Sequence, residues 1–226
     1  MKNSDTKSQL ISLISANWNK IRVNSCYSLI LLFFFLLVPV QPADAYFARY
    51  KEQYYRLFHI HLNQTPDDTM ENIYWLERAL VAPFANPLWA LTRIENEIQW
   101  QKYRYLFMMH INIKLVEQYL RLGSKWNKRE AFFFNAPWRD QILASLDIAE
   151  SCFRTALIYW DDALYWWERA MDRRFRWIDL PGIQFWKDSA VRIERGTLNY
   201  GRTIRRELAQ LQAVRERFQA MDENTY

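Results

Sequence analysis

The sequence predicts an all-α protein: an elongated antiparallel bundle of long helices with an N-terminal helical hairpin. Three observations carry that expectation. The 226 residues contain only 4 Gly and 7 Pro, too few breakers for a fold of many short, turn-linked strands. Apolar side chains make up 50% of the chain, which argues against disorder. From Tyr46 onward the apolar residues recur at three- and four-residue steps, the helical period.

Residues 46–226 are expected to form one domain, with 46–82 as a hairpin or arm and 87–221 as the long-helix bundle. Tyr46 to His61 carries Phe47, Tyr50, Tyr54, Leu57 and Phe58 on one face. Thr65 then offers a cap, Pro66 a first helical position, and Asp67 and Asp68 suit the positive end of the helix dipole. Met70, Ile73, Leu76, Leu80 and Val81 line that second helix, and Pro83 and Pro87 break the chain. By the same capping logic Asn86-Pro87 opens a third helix, which runs through Leu122 with Gly123 as its carboxyl cap and a kink expected near Glu95–Trp100. A connector, Lys125 to Asn135, holds Phe132-Phe133-Phe134 and room for a short helical turn.

The helix expected from Pro137 is the most informative. Ile142, Leu146, Ala149, Phe153, Ala156, Trp160, Ala163, Trp167 and Ala170 alternate steps of four and three. That 3.5-residue period is the pattern of supercoiled helix packing, here with bulky residues alternating with Ala. Leu180-Pro181-Gly182 ends it. A last helix is expected from Ile183 to Met221, with Ile204, Leu208, Leu211 and Phe218 on its seam. Gly196 and Gly201 inside it admit a close backbone or a large ring.

The first 45 residues read as an address. Lys20 and Arg22 precede an apolar run of 14 residues, Tyr27 to Val40, followed by Ala43-Asp44-Ala45. Spanning a bilayer needs about 20 apolar residues, so a signal peptide cleaved after Ala45 is expected, with an uncleaved membrane anchor as the alternative. A membrane contact follows only from that alternative. The remaining chain is expected to be exported. It keeps 26 basic and 23 acidic side chains, a surplus too mild to imply nucleic acid. It keeps one cysteine, Cys152, in an apolar stretch, so no intrachain disulfide is expected.

Catalytic chemistry finds little support. The histidines are His59, His61 and His110, without a metal-ligand spacing, and read as ordinary surface or boundary residues. There is no nucleophile elbow and no Gly-rich phosphate loop. No cofactor, no metal, no small-molecule substrate and no enzymatic activity are expected.

The aromatic surplus is the strongest functional signal. The chain has 11 Trp, 13 Tyr and 14 Phe, more than a slender bundle is expected to bury. Tyr159 and Trp166 lie one residue off the seam. With Arg173, Arg174 and Trp177 they form the candidate protein interface, a composition enriched at binding hot spots. The competing reading has these rings covering flanking helices with arginines stacked above them.

Four segments, Lys102–Lys114, Tyr119–Ser124, Phe132–Asn135 and Gly196–Tyr200, resemble in that order the periplasmic flagellar coiling proteins of spirochaetes, which belong to the flagellar filament sheath. The resemblance spans roughly residues 70–220. It implies a non-enzymatic helical protein, exported to the periplasm, that coats one side of the filament and helps to curve it for motility. Its implied partners are other filament or sheath proteins, or a second copy of the same chain. The alternative function is a soluble periplasmic adaptor or chaperone that binds clients through the same aromatic surface.

Overall fold

The computed structural model describes residues 47–222, and the expected leader, residues 1–45, lies outside them. Among the described residues there are six α-helices and no strand: α1 Lys51–Gln64, α2 Thr69–Val81, α3 Glu97–Trp126, α4 Arg139–Ala170, α5 Gln184–Glu194 and α6 Tyr200–Gln219. The chain from Ala48 on makes one compact unit. None of these helices is long and apolar enough to cross a membrane.

α3 and α4 form the main packed pair. They run antiparallel: Gly123 lies against Phe153, Tyr119 stacks on Tyr159 and Tyr105 stacks on Trp166. The 3.5-residue row of α4 is the seam. Leu146, Ala149, Phe153, Ala156, Trp160, Ala163 and Ala170 are all buried along it. Its large rings fit because glycines face them. A Cβ on Gly123 would stand 2.5 Å from Phe153 Cε1, and one on Gly201 would stand 2.8 Å from Trp160 Nε1. The expected close approach of a large ring is therefore met at Gly201.

α6 lies antiparallel along α4. Gly201 meets Trp160 at one end, and Arg139 donates to the Met221 carbonyl at the other, 2.8 Å. Between them Arg215 reaches Glu150 at 2.5 Å and Asp147 at 2.7 Å. Arg215 and then Arg154 hold the Glu150 carboxyl below its ordinary range. The α1–α2 hairpin packs on α3 through α2, where Tyr119 and Tyr159 both donate to Glu77 Oε1, 2.8 and 3.1 Å.

Several boundaries differ from the sequence expectation, each for a local reason. Thr65 closes α1 rather than capping α2: its N–H bonds the His61 carbonyl, and the cap is Asp68, accepting from Glu71 N. Asn86 does cap, but only the 3₁₀ turn Pro87–Trp89. Helix does not continue there: the Leu91 N–H goes to Tyr103 Oη, and the Thr92 hydroxyl ties the segment to the Pro181 carbonyl. α3 starts ten residues later, on Asn96. Gly123 is not its end; the helix passes through it to Trp126. Pro137 falls inside the 3₁₀ turn Phe133–Trp138, just ahead of α4. The single last helix is two. Gly196, at φ +70°, breaks it, Thr197 and Leu198 donate back to the Arg192 carbonyl, and Asn199 caps α6.

His110 is the clearest correction among single residues. It is not a surface or boundary residue but is buried between α1, α3 and α5. Its Nε2 lies 2.9 Å from Tyr55 Oη, and its ring stacks on Trp186 at 5.2 Å. Nδ1 has no hydrogen-bonding partner among the described residues. Burial first, then Lys114 and His59, holds His110 well below the usual imidazole range.

Two predictions follow from this packing. In an ordinary helix interior Gly→Ala gains about 1 kcal/mol, whereas overpacking costs about 1–3 kcal/mol. Gly123→Ala should therefore lower the urea midpoint with an unchanged m-value; a raised midpoint would contradict the contact with Phe153. The second concerns acid. An unfolded imidazole titrates at about 6.5, and His110 in the fold titrates lower, so the unfolded state binds more protons in between. Stability should fall as pH drops below about 6.5. His59, also lowered by burial and Lys114, adds to the effect. Urea titrations from neutral pH downward should show a shallower loss in His110→Gln than in the parent.

Candidate functional site

The turn that follows α4 brings an exposed indole and several cations together. It begins with Asp172, whose Oδ1 accepts from Arg174 N at 3.0 Å and caps the 3₁₀ turn Arg173–Phe175. Phe175 is buried and edges onto Tyr105 at 5.8 Å, and Tyr105 stacks on Trp166 at 6.0 Å. These rings tie the turn to α3 and α4.

Lys102, on α3, fixes the next stretch. Its Nζ donates to the carbonyls of Phe175, 2.9 Å, and Ile178, 2.7 Å. Further on, Leu180 and Ile183 are buried, and Gly182 takes φ +87° to turn the chain into α5. The backbone on both sides of Trp177 is thus anchored. Trp177 itself is 88% exposed. The Arg176 guanidinium sits 5.3 Å from its ring centroid, and Arg174 covers Phe175 at 4.6 Å.

Beneath this corner is a cavity of about 490 Å³, bounded by α3, the end of α4, the 3₁₀ turn and α5. Lys102, Arg173, Arg176 and Lys187 line it, opposed by Asp172 and Glu194. Leu106, Phe175, Ala190 and Val191 supply apolar wall. Burial first, then Lys187, lowers the proton affinity of Lys102, and Asp179 acts against them.

The five residues picked from sequence do not behave as one patch. Trp166 joins the corner through Tyr105 and Phe175, Arg173 and Arg174 are exposed on it, and Trp177 is its most exposed ring. Tyr159 stands apart, stacked on Tyr119 and bonded to Glu77. Trp166 is itself half-buried, with the Arg169 guanidinium 5.8 Å from its ring. The competing reading, rings covered by neighbours with arginine above, describes Trp166; Tyr159 has the covering neighbours without the arginine among the described residues, and the open-surface reading describes Trp177. Lys102 and Lys187 gave no sequence signal, because their partners lie far along the chain or only in space.

Elsewhere, Trp160 and Trp186 are buried with Trp100, whereas Trp89, Trp126 and Trp138 are exposed with Trp177. Cys152 is buried, as its apolar stretch implies, and burial raises its thiol. His61, Asp68 and Glu71 bring ligand-type atoms within 4.8 Å of one another at the α1–α2 connection. They already bond each other and their neighbours: His61 Nε2 lies 3.0 Å from Glu71 Oε2, and its Nδ1 2.9 Å from Asn72 Oδ1.

Replacing Lys102 by Met should strand two carbonyls. Leaving buried acceptors unsatisfied costs about 1–3 kcal/mol. The variant should lose that much stability and be cut faster by trypsin after Arg174 and Arg176. Unchanged cleavage would show that the lysine does not hold the turn.

A family model described as a domain of unknown function, DUF8513, matches residues 98–221, from the start of α3 to just beyond α6. No curated protein and no solved structure matches the chain. Because that match covers more than half of the sequence and takes in α4, α5 and the Trp177 corner, the chain belongs to the DUF8513 family.

Proposed function

We propose that this is a non-enzymatic structural protein that docks on another protein through the corner around Trp177. The observation that carries the reading is an indole left 88% exposed on an anchored backbone, flanked by Arg173, Arg174 and Arg176. Exposed Trp and Arg on a pre-shaped surface are the side chains that dominate binding energy in protein interfaces. Holding the turn in place before binding removes part of the ordering cost. Three guanidinium groups within four residues favour an acidic face on the partner.

The resemblance to spirochaete flagellar coiling proteins supplies the identity of that partner: the filament or sheath of a periplasmic flagellum, bound laterally by an exported protein that helps to set filament curvature. The aromatic excess and the leader-like first 45 residues support the same reading. The fold contributes a helical body to carry the contact.

The test is co-sedimentation with filaments isolated from cells lacking the gene. Trp177→Ala and Arg174→Glu should each weaken binding by ~2 kcal/mol or more, about thirtyfold in Kd. Normally curved filaments and normal motility after gene deletion would refute the flagellar role. A soluble pool with none on filaments would instead favour the adaptor or chaperone.

A further inference from the structure

We infer that the cavity beneath the corner binds a carboxylate carried on an apolar body. The inference rests on the cavity and not on the docking of Trp177. Its volume, about 490 Å³, falls within the range of small-ligand pockets, about 300–1,000 Å³.

The charges favour an anion. Four cationic side chains face the cavity, against two carboxylates. Of those two, Asp172 is already engaged, with Oδ1 on Arg174 N and Oδ2 3.8 Å from Arg174 Nε. Lys187 shares Asp179 at 3.2 Å, while Arg173 makes no ion pair among the described residues. Lys102 is the strongest element. Its residue is 5% exposed, two of its three N–H donors go to the Phe175 and Ile178 carbonyls, and no carboxylate among the described residues lies within ion-pair distance. An ammonium withdrawn from water without a counter-ion is costly, and an anion entering the cavity would offset that cost. Lys187 adds to the strain on Lys102, which an anion shared by both would relieve.

The same features limit the ligand. The surplus is two positive charges, and the carbonyl end of α4 reduces it further. One carboxylate suits that balance better than a polyphosphate. Leu106, Phe175 and Val191 leave apolar wall that a bare inorganic ion would not cover. A short aliphatic or aromatic acid has both parts. So does an acidic side chain reaching in from a docked protein.

The probe is hexanoate, titrated into the full chain by calorimetry, with hexanamide as the uncharged match. Hexanoate should bind saturably at one site, and hexanamide about tenfold more weakly or worse. Lys102→Met also disturbs the turn, so Arg173→Gln and Lys187→Gln are the informative variants. Each should weaken hexanoate severalfold with an unchanged circular dichroism spectrum, and Glu194→Gln should strengthen it. Trp177→Ala, whose indole does not line the cavity, should bind hexanoate more tightly than either cation variant, which separates this site from the docking contact. Absence of saturation, equal binding of hexanamide, or parental affinity in both cation variants would overturn the inference. With binding established, displacement of filaments by hexanoate assigns the natural carboxylate to the docked partner. Retention of filaments assigns it to a free acid.

Discussion

Close approach of α3 and α4 is the constraint from which the rest of the molecule follows. It is set by size. Ala149, Ala156, Ala163 and Ala170 alternate with Leu146, Phe153 and Trp160, so each large ring enters a gap that small residues keep open. Gly123 and Gly201 complete the same scheme from the flanking helices. Dense packing makes such seams intolerant of one added carbon. Once α3 and α4 are locked, α2 gains a surface for Glu77 to gather Tyr119 and Tyr159, and α6 gains a face for Ile204 and Leu211.

Three buried charges hold connections in place. Glu52 accepts from Ala85 N and Tyr103 Oη, which pins the segment after α2. Lys51 bonds the Ala79 and Leu80 carbonyls at the end of α2. Lys102 does the same for the turn after α4. In each case a buried charge satisfies backbone groups that a loop would otherwise leave unpaired. The outcome is a set of irregular segments tied to the helices they join. Trp177 is presented on one of them.

Much of the architecture was legible because it is periodic. The α4 row could be read residue by residue, and the two-helix hairpin followed from its turn residues. What escaped was decided in three dimensions. Asn86 carries the capping signal in the sequence, yet the Leu91 N–H bonds Tyr103 Oη, the Thr92 hydroxyl bonds Pro181, and α3 starts only at Asn96. Gly196 and Gly201 look alike in sequence, yet one breaks a helix and the other accommodates Trp160. At the candidate site, exposed composition pointed to Trp177 and its arginines. Tyr159 lies apart from them, its hydroxyl on Glu77, 82 residues away. The cavity had no linear signature, since Lys102, Arg173 and Lys187 come from three separate elements.

The uneven distribution of tryptophan gives the molecule a built-in optical signal. Trp100, Trp160 and Trp186 sit in a dry environment and emit toward the blue, whereas Trp89, Trp126, Trp138 and Trp177 emit into water, toward the red. Covering one corner removes a single red emitter and leaves the other three unquenched. Covering the Trp177 corner should therefore move the protein's own fluorescence toward the blue, with no dye attached.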